Sequence, residues 1–194
     1  IDTVFGIIGS ANAYIFDSIV KKGYTKIVYM HHEQAAVMAA GAYYRTNNKL
    51  SAAIVTAGAG ASNAITGVLS NWADSIPCLI LSGQEATKYI QSHSNLRMLG
   101  TQGFKAADMV TDIVKYSDTI MDKNQIQYYL EKAYYKSLNG RPGPSWLDIP
   151  FDIQSSTLDP LNLSHYKPKK LSKNNLKIDK LLELINKAKR PVFL

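Results

Sequence analysis

Between residues 3 and 82 the chain alternates four short apolar runs with three helix-forming segments, and few architectures accommodate that rhythm. The runs are residues 3–9, 27–30, 50–56 and 77–82, and none shows the strict apolar/polar alternation of a strand with one solvated face. Between them, residues 13–22 place Tyr14, Ile15, Ser18 and Ile19 on one helical face, and residues 35–44 are dominated by helix formers. A third helix is expected from the glycine-containing loop 58–63 to Trp72. Consecutive strands joined by helices must run parallel, because each crossover carries the chain back to the sheet's starting edge. The expected fold is therefore α/β: a mostly parallel sheet with helices on both faces.

Local signals set the boundaries. Ser10 or Asn12 is placed to cap the first helix and Gly23 to end it, the second helix should stop near Asn47-Asn48, and Gly83 should close the fourth strand. Residues 84–95 show no period and read as a loop. Residues 104–113 read as a short helix, 114–120 as a strand, 124–138 as a helix and 145–149 as a strand ended by Pro150. In the 124–138 helix, Tyr128, Tyr129, Tyr134 and Tyr135 form a stripe expected to pack against the sheet or another subunit. The organisation expected is a domain over 1–154, a linker over 155–175 and the start of a second domain over 176–194, with an amphipathic helix at 178–188 and a strand opening at Pro191. Because a strand is already running at the third residue, the chain is expected to begin inside a domain and to end just inside the next.

The net charge of +7 raises the question of a polyanionic partner. Its distribution answers it: residues 155–194 hold nine Lys/Arg against three acids, leaving a single net positive charge for residues 1–154. A basic excess in a Pro/Ser/Asn/Lys connector reads as a solvated linker, so no nucleic acid is expected. No apolar run approaches the ~18 residues of a membrane span, no membrane partner is expected, and the default location is cytoplasmic. Cys78, the lone cysteine, lies within an apolar run and reads as a core residue.

The chemistry-bearing stretch is Tyr29-Met30-His31-His32-Glu33-Gln34, where a strand gives way to a helix. In open α/β sheets ligands bind at such corners, beyond the carboxyl ends of the strands. Glu33 has two readings there: a group poised for chemistry, or an acid that complements the helix dipole. Gly58-Ala59-Gly60-Ala61-Ser62-Asn63 begins as a G-x-G loop, but Asn63 stands at its sixth position and the loop follows the third strand, so a nicotinamide fingerprint is weak. What its glycines allow is close approach of the backbone to another molecule or chain. His31 and His32 are adjacent and diverge, and no spaced histidine pair or cysteine set suits a metal.

Taken together, His32-Glu33-Gln34-Ala35-Ala36, Thr56 to Asn63, Ala73-Asp74-Ser75-Ile76-Pro77, Ser82-Gly83-Gln84, and Gly140-Arg141-Pro142-Gly143-Pro144 with Leu147-Asp148-Ile149-Pro150 resemble the pyrimidine-binding domain of thiamine-diphosphate enzymes. Within that superfamily the chain is most similar to the large subunit of acetolactate synthases, from Val4 to about Gln154. The resemblance implies that Glu33 is the catalytic acid, hydrogen-bonding a ring nitrogen of the cofactor's aminopyrimidine so that the neighbouring imino group can take the thiazolium proton. Such a carboxyl belongs in an apolar corner, which Tyr29, Met30 and the alanines after Gln34 are placed to wall. By the same resemblance Ile8, Gly9, Gly58, Gly60, Asn63 and Gln84 line the cofactor cleft, and Phe104 and Lys105 approach a 2-keto acid substrate.

Two departures from the family pattern bear on specificity. Its Gly-Pro-Gly is Gly58-Ala59-Gly60 here, and its Phe-Gln-Glu is Phe104-Lys105-Ala106. The lysine keeps open a carboligase or lyase with another acceptor, sugars included, and a non-catalytic scaffold domain is the further alternative. The implied Mg²⁺, which ties the cofactor's diphosphate, would be held by a domain absent from these residues, so no metal ligand is expected here and the piece alone should be inactive. The resemblance leaves FAD open and implies a homo-oligomer, dimer or tetramer, for the full-length protein.

Overall fold

A computed structural model describes residues 1–92, 95–168 and 177–192. The strands are β1 (Thr3–Gly6), β2 (Lys26–Tyr29), β3 (Ala52–Val55), β4 (Leu79–Gln84), β5 (Tyr116–Thr119) and β6 (Ser145–Pro150), and they form one sheet in the order β2-β1-β3-β4-β6-β5. Every neighbouring pair is parallel. The helices are α1 (Ala13–Lys22), α2 (Glu33–Asn47), α3 (Ala59–Ala73), α4 (Thr87–Ser92), α5 (Ala106–Met109), α6 (Ile126–Leu138), α7 (Phe151–Gln154) and α8 (Ile178–Lys187).

Alternate residues of the central strands feed two cores. Ala53, Val55, Ile80 and Trp146 meet Val37 and Ala40 of α2, Ala64 and Val68 of α3 and Ala106 of α5. Ala52, Ile54, Leu79 and Leu147 meet Phe16 of α1, Ala133 of α6 and Ile153 of α7. Both faces are therefore covered, which is why the runs read as continuously apolar. On the first face α2 and α3 approach closely: a Cβ on Gly67 would lie 2.8 Å from Val37 Cβ. That proximity brings the amino ends of both helices to the same edge of the sheet.

The structure corrects several local expectations. Neither Ser10 nor Asn12 caps α1 with its side chain; Asn12, wholly buried, instead accepts from the Gly9 N–H at 2.7 Å and donates to the Ile7 carbonyl at 3.0 Å. It pins the loop after β1, a tertiary demand that outranks the cap. The expected glycine loop is mostly helix, since α3 begins at Ala59. Gly83 does not close β4, which keeps its pairing with β6 as far as Gln84 against Pro150. The stretch read as a loop contains α4, held by Asp152, whose carboxylate accepts from Thr87 N–H at 3.0 Å and Thr87 Oγ1–H at 2.5 Å.

Gly23 and Asn48, in contrast, end α1 and α2 in the left-handed conformation as expected. The tyrosine stripe divides. Tyr129 packs into the second core, while Tyr128 and Tyr135 flank Tyr166, whose N–H donates to Glu131 at 2.8 Å. This part of residues 155–175 thus lies along α6 rather than free in solvent. His93 and the end of the strand expected from Pro191 lie outside the described residues. Among the described residues no helix is long and apolar enough to cross a membrane.

Candidate functional site

β1 pairs with β2 on one side and β3 on the other, so the chain reverses its direction across the sheet between β1 and β3. At that switch point the loops following two adjacent parallel strands diverge and leave a crevice. The loop after β1 brings Ile8 and Gly9, and the segment after β3 brings Thr56, Gly58, Gly60 and Asn63. Thr56 joins the two: its Oγ1 accepts from Ala11 N–H at 3.3 Å, and a Cβ on Gly9 would lie 2.6 Å from it. Ile8 is 53% exposed beside this junction.

Glu33 enters the crevice from the next strand. It is the first residue of α2, with His32 as an extended N-cap residue, and is only partly buried. Asn63 Nδ2–H donates to its Oε2 at 2.7 Å. Its other oxygen faces α3 at Gly60, where a Cβ would stand 3.3 Å from Oε1 and 2.8 Å from Thr56 Cγ2. A side chain at that position would fill the space beside the carboxyl; glycine leaves it open to a flat ring. Gly58 has φ +71°, and a Cβ there would lie 2.7 Å from the Gln102 carbonyl, so residues 99–103 close over this turn. The carboxyl thus has one oxygen held by Asn63 and the other bordering the glycine face of α3.

Not every expected residue sits in the crevice. Tyr29 is 56% exposed and stacks on Phe16 of α1 at 5.8 Å, on the opposite face, so it supplies no wall for Glu33. Met30 does pack on the face of α2 and α3. Gln84 is buried at the end of β4, with its amide donating to the Phe104 carbonyl at 2.8 Å and to Asp148 Oδ2 at 3.2 Å. Phe104 and Lys105 line a separate cavity of about 480 Å³ with Arg97, Leu99, Asp108 and Met109. Lys105 is exposed, and among the described residues no group pairs with its ammonium.

Sequence reasoning quoted Thr56 and Asp148 but assigned them no part. Asp148, wholly buried in β6, accepts from Trp146 Nε1–H at 2.7 Å and Ala107 N–H at 3.2 Å, and burial pushes its carboxyl up to about 6. The signal was available: an acid between Leu147 and Ile149 in a strand apolar on both faces must be partnered. Among the described residues no group of three or more His, Cys, Asp or Glu side chains is arranged to hold a metal ion.

Residues 1–111 match the family described as thiamine pyrophosphate enzyme, N-terminal TPP binding domain. The acetolactate synthase large subunit of Haemophilus influenzae is 35% identical over 203 residues, covering 100% of this chain and 34% of that protein. The isozyme 3 large subunit of Escherichia coli is 35% identical over 202 residues, covering 97% and 33%, and the mitochondrial acetolactate synthase of Schizosaccharomyces pombe 33% over 205 residues, covering 98% and 29%. The chain thus spans about a third of the length of these curated relatives. With a family match across more than half of its 194 residues, and a carboxyl set beside glycine at the switch point of a parallel sheet, the chain belongs to the thiamine pyrophosphate enzymes, as their N-terminal, pyrimidine-binding domain.

Proposed function

We propose that this domain activates thiamine diphosphate in a 2-keto acid decarboxylase and carboligase of the acetolactate synthase type, with pyruvate as donor. The observation that carries the reading is Glu33: its Oε2 is fixed by Asn63, and its Oε1 borders the space cleared by Gly60. Glu33 would hold one proton against a ring nitrogen of the aminopyrimidine, acting as acid and base at that atom. Asn63 fixes the rotamer of the carboxyl, so the proton is presented in one direction. Gly9, Gly58 and Gly60 would let the backbone come close to the ring, and the exposed Ile8 side chain would shield its edge from water. When bound, the cofactor supplies a carbon nucleophile for the keto carbonyl and accepts the electrons released on decarboxylation. Mg²⁺ and the diphosphate would be held by residues outside this chain, in a homo-oligomeric full-length protein, with FAD as a further group that those residues would decide.

Lys105 supports a second reading of the acceptor. With Arg97 it gives the cavity beside Phe104 two cations, partly offset by Asp108, which suits a second carboxylate-bearing or otherwise anionic acceptor as well as pyruvate. The test is turnover of the full-length protein with pyruvate, thiamine diphosphate and Mg²⁺, beside Glu33→Gln. Removal of a proton-transfer group should cost about 10²–10⁴-fold in rate. Equal turnover by both proteins would end the proposal.

A further inference from the structure

Asp148 has no part in the chemistry above, yet it is among the most completely buried polar groups of the domain. Its two oxygens take three donors: Oδ1 accepts from Trp146 Nε1–H at 2.7 Å, and Oδ2 accepts from Ala107 N–H and Gln84 Nε2–H, both at 3.2 Å. Gln84 carries the contact onward, donating to the Phe104 carbonyl at 2.8 Å while its own Oε1 accepts from Glu85 N–H at 3.0 Å. The segment from Phe104 to Ala107 is therefore gripped at both ends, its first carbonyl by Gln84 and its last amide by Asp148. Between the grips lies Lys105, exposed on the cavity wall, with a backbone at φ −77° and ψ 71° outside the helical region.

We propose that Asp148 is a positioning residue: acting through Gln84, it holds residues 104–107 on the sheet so that Phe104 and Lys105 present one fixed surface to the 2-keto acid. The inference rests on the functional reading above. Three donors converging on two atoms need an acceptor at both, which a carboxyl group with two oxygens supplies and an amide, with NH₂ in place of one oxygen, does not. An asparagine in its place must turn its NH₂ either toward Trp146 or toward the Ala107 and Gln84 donors, and in both cases donor meets donor. The grip on Ala107 is thereby lost or competes with the tryptophan. In the first orientation the conflict lies wholly with the indole N–H, so removing that donor relieves it.

The test uses the full-length protein with Asp148→Asn, Gln84→Met, the double variant Trp146→Phe/Asp148→Asn, and Glu33→Gln. A loosened wall weakens substrate binding in the ground state and the transition state alike, so KM for the keto acid should rise about tenfold in Asp148→Asn while kcat stays within about threefold. Gln84→Met, which keeps the buried shape and leaves Asp148 intact, should raise KM in the same sense and keeps the idea testable if Asp148→Asn does not fold. Amide hydrogen exchange at Ala107 should quicken at least tenfold in Asp148→Asn, and the double variant should recover both the exchange protection and most of the KM. A lowered kcat with unchanged KM in Asp148→Asn and Gln84→Met would show a merely structural role and overturn the inference, while loss of turnover in Glu33→Gln would leave the functional reading standing. A fully active Glu33→Gln would overturn both.

Discussion

Gly41→Ala offers a sharp check on how α2 and α3 set the site, because its sign runs against helix propensity. In the middle of an ordinary exposed helix this change stabilises by about 1 kcal/mol. Here the new Cβ would fall inside the contact distance of Asn71 Oδ1 and lie 2.9 Å from its Cγ. Asn71 cannot swing away freely: it is 3% exposed, and its Nδ2–H groups donate to the Val37 carbonyl at 3.1 Å and toward Cys78 Sγ at 3.3 Å. Relief must come from separating the helices, at about 1–3 kcal/mol for overpacking, or from breaking the amide's buried bonds, at about 1–3 kcal/mol for groups left unpaired. Offsetting the propensity gain leaves a net loss of up to about 2 kcal/mol. Urea unfolding of the chain measures it, and the informative version is a double-mutant cycle. In an Asn71→Ala background the clash is gone, so Gly41→Ala should be neutral or mildly stabilising, giving a coupling energy of about 1–3 kcal/mol. The same cost in both backgrounds, or stabilisation by Gly41→Ala alone, would refute the packing argument.

Two further predictions concern buried titrating groups. Burial pushes the Cys78 thiol up to about 12, so at pH 8 a thiol reagent should modify it only as fast as the chain unfolds; rapid stoichiometric reaction in native buffer would contradict its placement. The Asp148 carboxyl, raised to about 6 by burial among the neutral donors Trp146, Ala107 and Gln84, holds its proton in the folded chain at pH values where the unfolded chain has lost it. Its contribution is therefore fully present below about pH 4 and is lost as pH rises through about 6, a change of up to about 3 kcal/mol. Stability measured against pH for the parent minus that for Asp148→Asn should fall across this window and be level above pH 7, and a flat or rising difference would exclude the assignment.

The functional tests above separate two scales of the site. Glu33, Asn63 and Gly60 belong to side chains and backbone within one crevice, and their arrangement follows from two helices starting at the same sheet edge. Phe104 and Lys105 belong to a segment whose side-chain hydrogen bonds to the sheet run through Gln84 and Asp148. Turnover should respond to the first group through kcat and to the second through KM, and this difference follows from where each group sits.

By itself, the amino-acid sequence determined the class of fold and the place of Glu33 at a strand-to-helix corner. Continuous apolar runs require strands covered on both faces, crossover helices require those strands to be parallel, and a glutamate at the carboxyl end of one of them falls where α/β sheets bind ligands. Gly23 and Asn48 as helix ends, and Cys78 in the core, were equally legible, because each depends on local backbone preference or on hydropathy alone. What sequence left undecided is which residues meet across elements. Asn12 abandons its cap to pin residues 7–9, β4 runs on through Gly83 because Pro150 is there to pair with Gln84, and Tyr29 turns from Glu33 to Phe16. Asn63 reaches Glu33 across 30 positions, and Asp148 reaches Gln84 across 64 and Ala107 across 41. Only tertiary structure decides such contacts, since period and propensity act over a few residues while a hydrogen bond between distant elements depends on how the sheet and helices pack as a whole.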